Sequence, residues 1–492
     1  MSQNTPPRQW KTLDKDLGRI GQLELATLYV SRPMVGLGVA LAFIVIVGLI
    51  AALFTGSGSS SSAIIVAAAV LGAYMAINIG ANDVANNMGP AVGANALTLA
   101  GAIVIAALFE SAGALLAGGD VVSTISKGII DPTSMSDTRI FIWAMMAALT
   151  SSALWVNLAT WIGAPVSTTH SVVGGVMGAG IAAAGFGAIN WSSMGAIAAS
   201  WVISPVLGGV IAAGFLAFIK ARIIYQDDKI AAARRWVPVL VGIMAGAFSA
   251  YLSVKGLKRV ITIDLGTALM IGALVGVLFY AIAVPVVRRQ SRGMENRNKS
   301  LKVLFSLPLV ISAALLSFAH GANDVANAVG PLAAIVHSVE FGEFAGKVSI
   351  PTWVMVVGAL GISFGLVLFG PKLIRMVGSQ ITKLNPMRAF CVALSAAITV
   401  IVASWLGLPV SSTHIAVGAV FGVGFFREWY NEKHRPRTAP SKGGKIATEE
   451  RRRRKLVRRS HFLTIAAAWV ITVPAAALLS ALVFVALNAM FV

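Results

Sequence analysis

Apolar runs long enough to cross a bilayer as helix, about 20 residues each, recur along the chain between short polar stretches. They cover residues 34–54, 63–79, 94–117, 140–162, 192–219, 237–254, 261–287, 303–319, 350–370, 389–406 and 462–491, with two Gly-rich runs at 172–189 and ending near 426. If every run traverses, the pattern predicts an all-α polytopic membrane protein of about 12–13 transmembrane helices. The pattern also repeats. GANDVANNMGP at residues 80–90 returns as GANDVANAVGP at 321–331, an offset of 241, and GAPVSTTH at 163–170 returns as GLPVSSTH at 407–414, an offset of 244. Two unrelated motifs returning in the same order at nearly one offset indicate an internal duplication. Gly80, Gly89, Pro90 and Gly93 predict that the helix breaks at the first motif, where unwound backbone is tolerated only if it lines protein or a cavity.

This organisation predicts a polar tail at 1–33, an extra anchor helix with a Gly/Ser linker at 34–62, a first repeat at 63–235, connecting helices and a basic loop at 236–302, and a second repeat at 303–492. The tail is too polar and the run after it too long for a secretory signal, so that run reads as a retained anchor. Acids at Asp14, Asp16 and Glu24 argue against a transit peptide.

Composition fits a membrane protein: 57% of residues are hydrophobic and 12% charged. Charge adds orientation. The 39 Lys and Arg against 19 Asp and Glu leave +20, gathered mostly in loops at 220–235, 288–302, 371–388 and 427–459, so the positive-inside rule explains the excess without nucleic acid. Placing those four loops in the cytoplasm puts the N-terminus inside and the C-terminus outside. The two GAND helices then cross in opposite directions, which makes the halves inverted repeats. Lys255, Lys258 and Arg259 dissent by facing out. The run from Arg451 to Arg454 reads as a solvated face beside anionic membrane lipid. The single cysteine, Cys391, excludes an intrachain disulfide and a multi-cysteine metal site.

Chemistry concentrates in the repeated motifs. Asp83 and Asp324 sit at membrane depth, where a carboxylate is costly unless it meets a cation, a proton or water. Asn82, Asn86, Asn323 and Asn327 add amide donors and carbonyl acceptors. Pro165 and Pro409 suit helix starts, so Ser167, Thr168 and Thr169, and likewise Ser411, Ser412 and Thr413, group hydroxyls and unpaired N–H donors at the positive end of a helix dipole. Such a cluster binds anions.

Neither motif holds Lys or Arg. An oxyanion beside two carboxylates therefore requires cations or protons between them, and cation-coupled transport follows from that charge balance. Asp83, Asn86, Asp324 and Asn327 are the candidate cation ligands, with Asp83 and Asp324 as the metal ligands if the ion is Na+. Phosphate and sulfate both fit these residue types. Glu110, alone in its apolar run, and His170 and His414, behind the hydroxyls, are candidates for coupling. His320 precedes only the second motif and carries less weight. A cation channel built on Asp and Asn is the alternative from another class. A hydrolase using Ser167, His170 and Asp83 lacks a GxSxG elbow and would need two such sites, so the chain reads as a non-enzyme without a cofactor.

At these residues the chain resembles the PiT family of inorganic phosphate transporters, marked by paired GANDVANA-like and P-[VI]-S-[GST]-T-H segments. The resemblance runs from about residue 63 to the C-terminus and implies an inverted-repeat symporter with broken or re-entrant helices, homodimeric, carrying phosphate with Na+ or H+. In a chain of bacterial type it implies the inner (plasma) membrane. By motif match it implies ion and phosphate contacts at Asn82, Asp83, Asn323 and Asp324 and at the hydroxyls of Ser167 to Thr169 and Ser411 to Thr413. Glu110 in LFESAG resembles the family's intramembrane glutamate. Two positions depart: Ala393 stands where animal members carry a second glutamate, and Asn87 replaces the usual Ala, altering that cation site or adding a hydrogen bond. The family also contains sulfate permeases.

Overall fold

The computed structural model describes residues 34–55, 60–131, 134–135, 137–162, 166–256, 263–342, 350–380, 384–433 and 459–491. Among them the chain is helical apart from short connections and one isolated bridge between Ile130 and Ile189. Among the described residues, eleven helical spans are long and apolar enough to cross a membrane. The two segments after the PVS motifs fall outside that set, which accounts for the larger number expected if every run traversed.

The first helix, α1 (Met34–Thr55), buries a stripe of Ala40, Phe43, Val47 and Ala51. This near-heptad spacing covers one helical face, and Phe43 meets Phe364 at 4.7 Å between ring centroids. Its remaining faces carry exposed Val45, Ile46 and Leu49, as expected of a helix bordering lipid.

The expected break at the first GAND motif is absent. Helix α2 (Ser60–Gly93) runs unbroken through the motif with Pro90 inside it. The second copy is interrupted only at Val325, between α11 (Ser306–Asp324) and α12 (Ala326–Phe341), and that residue keeps helical dihedrals at φ −55° and ψ −31°. Glycine here serves close packing. A Cβ on Gly80 would strike the carbonyl of Ile362 in α13 (Thr352–Gln380), and one on Gly321 would strike the carbonyl of Glu110 in α3 (Leu99–Ala117). Gly365 meets the carbonyl of Ile77, and Gly113 that of Phe318, in the same paired fashion. These contacts map onto one another under the offset of 241 for α2 and α11 and a second offset of 252 for α3 and α13. Ser111 and Ser363, 252 apart, meet at 2.6 Å across the seam.

Each PVS motif lies at the tip of a helical hairpin. In the first, α5 (Thr138–Ile162) and α6 (Thr168–Ala184) are antiparallel: Ser152 Oγ donates to the Ser171 carbonyl at 3.0 Å, and Gly175 packs on Ala148 one turn further from the tip. In the second, α14 (Pro386–Trp405) and α15 (Ser412–Lys433) bring Arg388 and Arg427 together at their open end. Each hairpin is braced by one long helix. Gly174 and Gly178 of α6 pack on Val473 and Ala477 of the terminal helix α16 (Arg459–Phe491), while Gly418 and Gly422 of α15, both 244 residues on, pack on Pro205 and Gly209 of α7 (Trp191–Ile219).

The hairpins open in opposite directions. Trp191 starts α7 beside the Ile130–Ile189 bridge, on the face where Thr138 Oγ1 donates to the Gly342 carbonyl. After 29 residues, about 44 Å of helix, α7 reaches Lys220, whose Nζ lies over the Tyr430 ring. The first hairpin opens to the starting face and the second to the finishing face, the arrangement of an inverted repeat.

The described parts of the four basic loops gather on the finishing face. Asn296 joins the start of α8 (Lys229–Lys255), accepting from Lys229 N at 2.9 Å and donating to the Asp227 carbonyl at 2.6 Å. Arg234 Nε donates to Ser291 Oγ at 2.7 Å just after α9 (Leu265–Gln290). The expected loop at 288–302 includes the short α10 (Asn298–Leu304). Lys255, the dissenting charge, lies at the far end of α8 in an ion pair with Asp120 of α4 (Gly119–Lys127), a short helix between the apolar runs 94–117 and 140–162. Its charge is neutralised locally, so it does not oppose the orientation. Residues 1–33, 163–165 including Pro165, 257–262 and 434–458 including Arg451 to Arg454 lie outside the described residues.

Candidate functional site

The two motif pairs meet at one buried centre, each half completing the other. Ser167 caps α6 by accepting from His170 N at 3.1 Å, and Ser411 accepts from His414 N at 3.3 Å. With those hydroxyls spent on the caps, Thr168, Thr169, Ser412 and Thr413 present theirs inward. Thr168 Oγ1 donates to Asp83 Oδ2 at 2.9 Å, and Thr413 Oγ1 donates to Asp83 Oδ1 at 3.1 Å. Asp83 thus takes one hydroxyl from each hairpin. Ser412 Oγ donates to Asp324 Oδ2 at 3.4 Å. Asn86 Nδ2 donates to Thr413 Oγ1 at 2.7 Å, and its repeat mate Asn327 donates to Thr169 Oγ1 at 3.1 Å. Each repeat's asparagine therefore grips the other repeat's hairpin.

Asn82 and Asn323, expected as anion contacts, hydrogen-bond within the protein here. Asn82 Nδ2 donates to Thr160 at 2.9 Å, and Asn323 Nδ2 to Ser404 at 3.0 Å and to the Leu408 carbonyl at 3.1 Å. Asn323 Oδ1 also accepts from Val410 N. Both amides tie a GAND helix to the tip of its own hairpin, so they fix the position of the hydroxyls. His170 and His414 stack edge to face, 4.4 Å between centroids, and His170 packs against Trp201 at 3.9 Å. Trp201 Nε1 donates to the Pro409 carbonyl, linking α7 to the second motif.

The residue given least weight in the sequence stands at the middle. His320 Nε2 lies 2.9 Å from Asp324 Oδ2 and 3.9 Å from Asp83 Oδ2, and its Nδ1 lies 3.3 Å from Glu110 Oε1. Glu110 has no base near it in sequence; its basic neighbour comes from α11. Asn87 adds a hydrogen bond, donating to Glu110 Oε1 at 2.8 Å. Glu110, Asn87 and His320 are all buried, and the repeat replaces them with Ile362, Ala328 and Ile79. The centre is therefore symmetric in its aspartates and hydroxyls and asymmetric in this triad. Ala393, buried in α14, is remote in the repeat from the Glu110 position, which Ile362 holds.

Oxygen is the dominant donor atom. Carboxylate and imidazole atoms of Asp83, His320 and Asp324 all lie within 4.8 Å of one another, close enough to share a cation. Asp324 Oδ1, Asn327 Oδ1, Asn87 Oδ1 and Glu110 Oε2 are buried and accept no hydrogen bond. Buried acceptors left open in this way cost stability unless something fills them, and hard cations bind oxygen sets of this kind.

Comparison with known proteins agrees with this architecture. A profile of the phosphate transporter family matches residues 79–480. A Helicobacter pylori (strain J99) protein with a provisional name as a phosphate permease is 47% identical over 96% of this chain and 99% of its own length. One from Pyrococcus abyssi, similarly named, is 36% identical over 84% of this chain and 96% of its own. A solved structure described as the sodium-dependent phosphate transporter superposes with a TM-score of 0.79 at 34% identity, covering 87% of this chain and 100% of that one. The helices make the chain an integral membrane protein, and its bacterial relatives point to the plasma membrane. The duplicated motifs, the opposed hairpins and a family match across most of the length lead to one conclusion: the chain belongs to the phosphate transporter family, and its work is permeation rather than enzymatic chemistry.

Proposed function

We propose that this chain is a secondary active transporter that moves inorganic phosphate together with a cation by alternating access. The observation that carries the reading is the cross-repeat sharing of Asp83, which accepts a hydroxyl from each hairpin. A carboxylate held by both hairpin tips senses whether both are in place. A cation on Asp83 and Asn86, and another on Asp324 and Asn327, would neutralise the carboxylates. Phosphate could then settle against the N-termini of α6 and α15, where hydroxyls and helix dipoles favour an anion. Without the cations, the same anion would meet two buried carboxylates and be repelled.

Na+ is the first candidate for the coupling ion, because the similar solved structure is described as sodium-dependent and the open acceptors are oxygens. Proton coupling is the second reading. It is favoured by His320, which stands within reach of three carboxylates and can take up a proton between them. Sulfate remains the rival oxyanion.

The test is uptake of labelled phosphate into proteoliposomes under an imposed Na+ gradient, an imposed proton gradient or neither, with excess sulfate as competitor. Accumulation driven by one gradient and indifferent to sulfate supports a phosphate symporter and names its ion. Saturable uptake displaced by sulfate moves the substrate, and unsaturable flux indifferent to every gradient rejects the reading in favour of a channel.

A further inference from the structure

The three cations at the open end of the second hairpin have no anionic partner among the described residues. Lys220 is 8% exposed, and its Nζ makes no hydrogen bond. It lies 3.9 Å from the Tyr430 ring centroid and 5.3 Å from that of Phe426. Arg388, at the start of α14, and Arg427, on α15, are close enough for their charges to act on it and on each other. No carboxylate lies within ion-pair distance of any of the three among the described residues; the nearby Glu428 pairs with none of them. A cation–π contact offsets part of the cost of burying one ammonium. It does nothing for the repulsion between an ammonium and two guanidinium groups, which favours an anion among them.

An apolar groove leads away from this cluster. It encloses about 770 Å³ between α7 and α15, lined by Val202, Val206, Val210, Phe421 and Phe425 and closed by Phe426, the ring beneath Lys220. Val202, Val206 and Val210 are largely exposed, so the groove faces the hydrocarbon of the bilayer. Trp429, with Lys433 5.2 Å from its ring, marks the interfacial level at the same end.

We propose that this groove is a binding site for an anionic phospholipid, with the headgroup phosphate among Lys220, Arg388 and Arg427 and an acyl chain along α7 and α15. Charge complementarity selects the occupant. A free anion would satisfy the cations and leave the groove unused, while an apolar partner helix would fill the groove and leave the cations unpaired. The cluster belongs to the face that gathers the basic loops, where the positive-inside rule places the cytoplasmic leaflet and its anionic lipids. The groove extends to Trp201, whose indole donates to the Pro409 carbonyl, so the occupant touches a helix that holds the second motif.

The full-length protein in detergent is titrated with phosphatidylglycerol or phosphatidylcholine, and bound lipid is counted by native mass spectrometry alongside the thermal unfolding midpoint. The expected result is retention of phosphatidylglycerol but not phosphatidylcholine, a raised midpoint with phosphatidylglycerol only, and about fivefold weaker binding for each of Lys220→Met and Arg427→Gln, the factor equivalent to about 1 kcal/mol per cation. Val206→Trp, which fills the groove without touching a charge, should weaken phosphatidylglycerol binding while leaving the midpoint in phosphatidylcholine unchanged. Equal binding of both lipids, or binding indifferent to Lys220→Met and to Val206→Trp, overturns the proposal. So does a stabilisation by inorganic phosphate that Lys220→Met abolishes, which would identify a free-anion site. Protection of the groove only in a dimeric fraction would assign it to a second copy of the chain and also overturn the lipid.

Discussion

At the scale of single residues, the centre divides into groups that hold charge and groups that hold position. Asp83 and Asp324 are buried carboxylates whose hydroxyl donors come from the hairpins. Asp83→Asn and Asp324→Asn keep the shape and hydrogen-bonding capacity but remove the charge to which the proposed cation would bind. Each is expected to lower gradient-driven phosphate uptake at least tenfold, on the order of 1.4 kcal/mol or more, with normal membrane expression. Near-normal uptake in both variants would reject the cation-bridged site. Thr168→Ala and Ser412→Ala should raise the apparent Km for phosphate several-fold and leave cation affinity nearly unchanged; an equal effect on both would show that those hydroxyls serve the cation. His320→Gln keeps a polar side chain between Glu110 and Asp324 and deletes the titratable ring. If His320 carries the coupling proton, the pH profile of uptake flattens in this variant, whereas a wild-type profile assigns the histidine to packing.

At the scale of elements, the duplicated motifs made the helix starts at the hydroxyls and their grouping with the aspartates legible in the sequence, because the same chemistry appears twice at matched offsets. The triad of Glu110, Asn87 and His320 was not legible. Its members come from α2, α3 and α11, have no counterparts in the repeat, and are joined only by helix packing. The continuity of α2 was obscured for a related reason: Gly80 reads as a breaker in one dimension and is a contact point in three. Packing also makes the seam between the repeats intolerant of volume. Gly321→Ala drives a methyl into the Glu110 carbonyl, and over-packing of this kind costs about 1–3 kcal/mol. A lower thermal midpoint and reduced yield are therefore expected, with Gly187→Ala, where a Cβ meets nothing, as the unaffected control. A normal midpoint for Gly321→Ala would mean that α3 and α11 can separate without cost.

At the scale of the molecule, the proposed alternating access requires that some parts move and others hold still. The two repeats are interleaved, with α2 packed on α13 and α11 on α3 by glycines set directly against carbonyls, and Ser111 meeting Ser363 at the middle. Sliding along such a seam would force backbone into backbone, so rocking of one whole repeat against the other is disfavoured. The hairpins are attached differently. Their tips are held by side-chain hydrogen bonds from Asp83, Asn86, Asp324 and Asn327, and these can exchange with ions and substrate at small cost. The mobile parts would then be the hairpins with their bracing helices, moving around a core of α2, α3, α11 and α13. A disulfide formed between Ser111→Cys and Ser363→Cys across the 2.6 Å contact is expected to leave phosphate uptake unchanged. If oxidation arrests uptake and reduction restores it, the seam itself moves during the cycle, and the repeats rather than the hairpins are the rocking units.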